Sequence, residues 1–164
     1  MPNADGWSEF TFKTEVVYKA PYRFRRDSPD RLPDPYVQYV VGVDRLIPNL
    51  FSQQDQLTLT LEYLGEEDAD DFTADFRPFQ SDVVARAFWE AGDFRRTSLE
   101  FRAVVDTERG ETILEAIYEQ QLRSFHDDLK LQVGIQYFDP DRQKGLFSFF
   151  PNNTNVRVEL RFDF

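Results

Sequence analysis

Cysteine is absent from this 164-residue chain, so no disulfide framework and no cysteine-ligated metal site can hold it together. Histidine occurs once, at His126, beside Asp127 and Asp128. One imidazole without a paired nucleophile does not make a catalytic triad, and an accessory hydrogen-bonding role is expected of it. No run of about 18 apolar residues exists, which excludes a transmembrane helix. No stretch repeats its apolar residues at the spacing of an amphipathic helix. A Gly-rich phosphate loop is also missing. Basic residues are outnumbered, 19 Lys and Arg against 30 Asp and Glu, and a net charge of -11 argues against nucleic-acid binding. Met1 to Asp5 lack the basic start and apolar core of a secretory signal, so a secreted protein would have to be a mature chain or a piece of something longer.

What the chain does have is alternation. From Asn155 to Phe164 polar and apolar residues take turns without a break. A strand with that pattern sets Val156, Val158, Leu160, Phe162 and Phe164 on one surface and Arg157, Glu159, Arg161 and Asp163 on the other. The same period of two recurs in seven earlier segments, beginning near Glu9, Val37, Gln56, Val83, Ser98, Leu114 and Leu129. The segment from Leu129 to Tyr137 is the cleanest of these, with Leu129, Leu131, Val133, Ile135 and Tyr137 on one side. The segment near Leu114 is the least regular, because Ile113 and Ile117 fall on its polar side. Eight such strands in one domain, residues 1–164, predict an all-β, antiparallel up-and-down barrel of the transmembrane type. It either closes on itself or forms the C-terminal half of a wider barrel.

A mean hydropathy of -0.56 is no objection, since a barrel in a membrane hides its apolar half by alternation. Aromatic residues are abundant, 17 Phe, 7 Tyr and 2 Trp, and several sit near strand ends, where amphipathic rings favour a membrane interface. Connection lengths point the same way. The links from Ala20 to Pro35, Leu64 to Ser81 and Asp139 to Thr154 are long, and Thr107 to Gly110 is brief. Those from Ala91 to Arg96 and Arg123 to Asp127 are short, and Leu46 to Asp55 is of middling length. Long loops on one side and short turns on the other are the habit of outer-membrane barrels.

The terminal pattern ending in Phe164 resembles the assembly signal of bacterial outer-membrane β-barrels. The run Asp55 to Gly65, then Pro78 to Asp82, then the hairpins to the terminus, is similar to the C-terminal part of uncharacterised porin-like proteins of Gram-negative bacteria. This resemblance implies a place in the bacterial outer membrane, with its lipid and the barrel assembly machinery as partners. It makes Val158, Leu160, Phe162 and Phe164 the assembly signal. It implies a porin-like activity, the passive passage of small solutes or ions, with no cofactor and no enzymatic function. The lumen would then be lined by Lys13, Glu15, Asp44, Glu62, Arg86, Glu90, Glu100, Arg102, Glu115, Glu119, Lys130, Arg157, Glu159 and Arg161. Acids outnumber bases in that set, so a modest preference for cations is expected.

Other readings compete. A small closed barrel would carry the same charges as a salt-bridged plug without a channel. A soluble lipocalin-like barrel would reverse the polarity, with apolar faces inward around a ligand. A water-soluble chain imitating a membrane barrel would share the alternation. The acidic run Glu66 to Asp71 suits a hard cation in residue type but not in spacing, and is expected to be a solvated loop rather than a metal site. The basic run Arg23 to Arg26 is expected to be a second solvated loop. Leu131 is taken as a lipid-facing midpoint of its strand.

Overall fold

A computed structural model describes residues 10–19, 36–68, 81–108, 110–126, 128–139 and 154–162. Eight strands follow one another in a single antiparallel sheet, each paired with its sequence neighbours, and no helix occurs among the described residues. They are β1 (Phe10–Lys19), β2 (Tyr36–Pro48), β3 (Gln56–Asp68), β4 (Ser81–Glu90), β5 (Ser98–Asp106), β6 (Thr112–Gln121), β7 (Leu129–Asp139) and β8 (Asn155–Phe162). β1 and β8 are not paired with each other, so the sheet is open.

β2 and β3 run further than alternation alone suggests. Because β2 continues to Pro48, its link to β3 shrinks to residues 49–55, the same length as the β4–β5 link (91–97) and the β6–β7 link (122–128). One end of the sheet thus carries three turns of equal length. β3 continues to Asp68, so Glu66 to Asp68 belong to a strand and not to a solvated loop. Ala69 to Asp71 lie outside the described residues, as do Arg23 to Arg26, Asp163 and Phe164. At the other end the β5–β6 turn is tight. Gly110 adopts φ +72° there, where a side chain would be strained, and the Asp106 N–H donates to the Glu111 carbonyl at 2.9 Å.

Register shows how the strands lean. Followed straight across the ladders, Phe10 meets Arg45, Leu59, Ala87, Phe101, Ala116, Ile135 and finally Val156. That line starts on the first residue of β1 and ends on the second of β8, while the two strands extend from it in opposite directions. The strand midpoints therefore slip by about seven residues over seven ladders. One residue of rise, about 3.3 Å, per strand spacing of about 4.8 Å corresponds to a tilt of about 35°. Barrel walls tilt their strands by similar angles.

Alternation survives across every ladder, so one face is apolar from β1 to β8. A row runs Phe12, Val43, Leu61, Ala85, Ala103, Leu114, Tyr137, and the next towards the turns ends in Ile135 and Val156. None of this packs into a core: among the described residues no hydrophobic side chain is buried, and Val158 is 66% exposed. The opposite face is the more crowded. In β3, Leu59, Leu61 and Tyr63 are exposed while Thr58, Thr60, Glu62, Leu64 and Glu66 are half-buried. Among the described residues the buried side chains are polar ones, Asp82, Glu100 and Asp106 on this face, Ser81 on the apolar side, and Asp55 and Glu111 in the turns. Side chains crowd on the inner side of a curled sheet and splay on its outer side, so the charged face is the concave one.

Candidate functional site

Every strand residue expected to line a lumen lies on that concave face. Lys13 stands in one cross-strand row with Gly42 and Glu62. Arg86, Arg102 and Glu115 share another, Glu90, Glu119 and Glu159 a third, and Glu100 and Arg157 a fourth. Lys130 is opposite Arg161, and Glu15 lies in the row that leads to Asp82 and Asp106. Val158, Leu160 and Phe162 occupy the other side.

The charges pair sideways along the wall. Lys13 binds the Asp44 carboxylate and lies 3.9 Å from Glu62. Glu100, only 8% exposed, accepts from Arg86 Nε and, at 2.7 Å, from Arg102 Nε. Arg102 reaches on through Nη1 to Glu115 at 3.3 Å. Arg86 and Arg102 are direct cross-strand partners. Like charges so placed repel, and Glu100 joins them. The row continues through Glu115 to Gln136 and Asn155, where Gly134 leaves a cleft of about 220 Å³ lined also by Arg157.

Sequence reasoning missed part of this face. Glu66, Asp82 and Asp106 belong to it, and Gln38 Nε2 donates to Glu66 at 2.8 Å. The signal was available in the parity of their positions, but their places near strand ends hid it. Among residues whose side chains the structure describes, they raise the acids on the face to 11 against the 6 bases Lys13, Arg86, Arg102, Lys130, Arg157 and Arg161. Apolar residues intrude too: Val40, Leu64, Val84, Val104, Ile113 and Phe138 lie on the charged side.

The apolar face ends in aromatic rings at both margins. Tyr18, Tyr39, Tyr63 and Tyr137 lie towards the loop end. The Tyr39 ring covers Gly65 so closely that a Cβ there would fall 2.2 Å from the ring. Tyr63 hydrogen-bonds Ser81 at 3.0 Å, and Ser81 bonds Thr107 at 2.7 Å. At the turn end stand Trp89, Tyr118 and Phe162, with Phe51, Phe94 and Phe125 on the turns. Arg45, three residues from the centre of β2, is one charged exception on this face, and its guanidinium stacks on Phe10 at 5.1 Å. Leu131 is not a midpoint: β7 is centred on Gly134, and Val133 and Ile135 are the apolar residues beside it.

The β2–β3 turn is locked by Asp55. Its Oδ2 accepts the backbone N–H of Phe51 at 2.8 Å and the Trp89 indole N–H at 3.0 Å. Phe51 meets Trp89 edge to face at 5.9 Å. Burial disfavours the Asp55 charge, but the Trp89 indole and the amides of Phe51, Ser52 and Leu50 outweigh it and hold the carboxyl below its ordinary range. A carboxyl depressed by folding stabilises the fold fully above its unfolded value of about 3.9, and the benefit is lost as pH falls through the lower folded value. With Trp7→Phe leaving Trp89 as the only indole, its fluorescence is expected to shift on acidification below about pH 4. Asp55→Asn should show the shift already at neutral pH, and unchanged emission in both cases would mean that the bond does not order this turn.

His126 lies in the β6–β7 turn with its ring 4.7 Å from that of Phe162. Its Nδ1 accepts the Asp128 N–H at 3.3 Å. Among the described residues no three His, Asp or Glu side chains converge as a metal site. The chain matches no protein-family model, no curated protein and no solved structure.

Proposed function

We propose that the sheet is the wall of an outer-membrane β-barrel whose charged concave face lines a path for small solutes or ions. One observation carries this reading: among the described residues a continuous apolar face with no buried core stands opposite a charged face that is crowded and paired within itself. Such an apolar surface in water is an aggregation hazard, and hydrocarbon is the cover that suits it. On β3 the apolar side runs from Leu57 to Gly65 before Glu67 interrupts it. At the tilt above this span is about 22 Å tall, close to the roughly 25 Å of a barrel's lipid-facing band. Tyrosines at one margin and Trp89, Tyr118 and Phe162 at the other stand where interfacial girdles do.

The reversed polarity of a lipocalin-like barrel fits less well, because its apolar face would be the crowded, buried one. Sideways pairing favours a water-lined wall over a plug. In a closed eight-stranded barrel, side chains fill the interior and charges would meet across it, whereas a wider wall leaves an aqueous channel. On this reading β1 and β8 each meet a further strand.

Protein inserted into a planar bilayer is expected to give stepwise currents. The excess of acids on the concave face predicts a reversal potential displaced in favour of cations. Silence from protein that migrates heat-modifiably on gels and is protected by lipid would reject the channel and leave a structural barrel.

A further inference from the structure

We propose that the cleft between the β4–β5 and β6–β7 turns binds the phosphate head group of an anionic phospholipid, an inference that rests on the membrane placement proposed above. The cleft measures about 300 Å³ and is lined by Phe94, Arg95, Gln120, Gln121, Arg123 and Ser124, among others. It is bounded by a link from the end of β6 to the β4–β5 turn, in which the Gln121 N–H donates to the Arg95 carbonyl at 2.8 Å. Neither guanidinium is left to wander. Arg95 rests on the Phe94 ring at 5.3 Å, and Arg123 Nε donates to Gln121 Oε1 at 3.1 Å.

Charge makes the site stand out. Acids outnumber bases 30 to 19 in this chain, yet among the described residues no carboxylate forms an ion pair with Arg95 or Arg123. Arg86 and Arg102, by contrast, are engaged by Glu100. Two planar forks at one cleft, with the Ser124 hydroxyl and the Gln120 amide beside them, present donors to a phosphodiester. The surroundings select lipid rather than a soluble anion. Phe94 is 65% and Phe125 80% exposed, one on each turn, placed to enter the boundary between acyl chains and head groups. Gln120 lies on the apolar side, in a row with Leu131 and Leu160, and accepts the Tyr118 hydroxyl at 3.0 Å. A polar group at that height marks where hydrocarbon gives way to head groups.

The test compares the wild type with an Arg95→Gln, Arg123→Gln variant, both folded in detergent. Each is titrated with phosphatidylglycerol, phosphatidylcholine and inorganic phosphate, with retained lipid read by native mass spectrometry. Wild type is expected to retain phosphatidylglycerol over phosphatidylcholine, and the variant to lose about thirtyfold in affinity, the factor two basic side chains supply near an anionic surface. Phe94→Ala should weaken lipid retention without creating a response to inorganic phosphate. Equal lipid retention by wild type and double variant would overturn the proposal, as would inorganic phosphate competing as effectively as the lipid. Heat-modifiable migration and protease protection in phosphatidylcholine vesicles report membrane insertion separately. Wild type that fails this assay would sink the membrane reading and the head-group site together, whereas inserted protein indifferent to phosphatidylglycerol would sink the site alone.

Discussion

Arginine in place of Ile135 is expected to cost about 2–4 kcal/mol of stability in a bilayer, the penalty of a guanidinium at the midplane of a barrel's outer face. Ile135 sits beside the centre of β7, is 49% exposed, and has Ala116 and Val156 as cross-strand neighbours. The acids on that face, Glu67 and Asp139, lie near the loop ends of their strands, and none stands beside the new charge. Its neighbour Gln136 points to the opposite side, opposite Glu115 and Asn155. There an arginine would find water and a carboxylate, so Gln136→Arg should change stability by no more than about 0.5 kcal/mol. Urea unfolding of both variants from lipid vesicles, followed by tryptophan fluorescence, measures the contrast. Equal costs would show that the two faces have been assigned the wrong way round.

The second large effect is expected from Glu100→Gln, at about 1–3 kcal/mol. Glu100 is buried and joins two guanidiniums that the register sets face to face, so its loss removes two charge-assisted hydrogen bonds and leaves Arg86 and Arg102 to repel. The repulsion makes a further prediction. Arg86→Met added to Glu100→Gln should recover part of the loss, and high salt should recover part of it in the single variant. Glu115→Gln, which touches only the outer end of Arg102 at 3.3 Å, should cost less. Denaturant unfolding of the set as a double-mutant cycle decides the matter, and additive losses would mean that Glu100 does not couple the two arginines.

Much of the fold was legible in the chain because its cause is local. A side chain's face in a strand follows from its parity, so Leu57, Leu59, Leu61 and Tyr63 could be set against Thr58, Thr60 and Glu62 without any partner strand in view. Each expected lumen residue accordingly falls on the concave face. Strand ends were harder to read. Pro48 closes β2 although proline cannot donate to a ladder, and Glu66 and Glu67 continue β3 although they look like loop residues. Pro48 is paired only across the turn that follows it, with Gln56, and the partner of Glu66, Gln38, is distant in sequence. The buried Asp55 was likewise hidden, since nothing near it in sequence announces that Trp89 will donate to it.

The amino-acid order by itself determined the number of strands, their two unlike faces and the antiparallel succession that short turns impose, because each follows from backbone geometry over a few residues. Only the tertiary structure decided the register, and with it the tilt, the meeting of Arg86, Glu100 and Arg102, and the gathering of Arg95 and Arg123 at one cleft. Which face lies inside a curl was likewise decided only there. Register and curvature depend on all strands at once: moving one ladder by two residues keeps every side chain on its face yet changes every neighbour it meets.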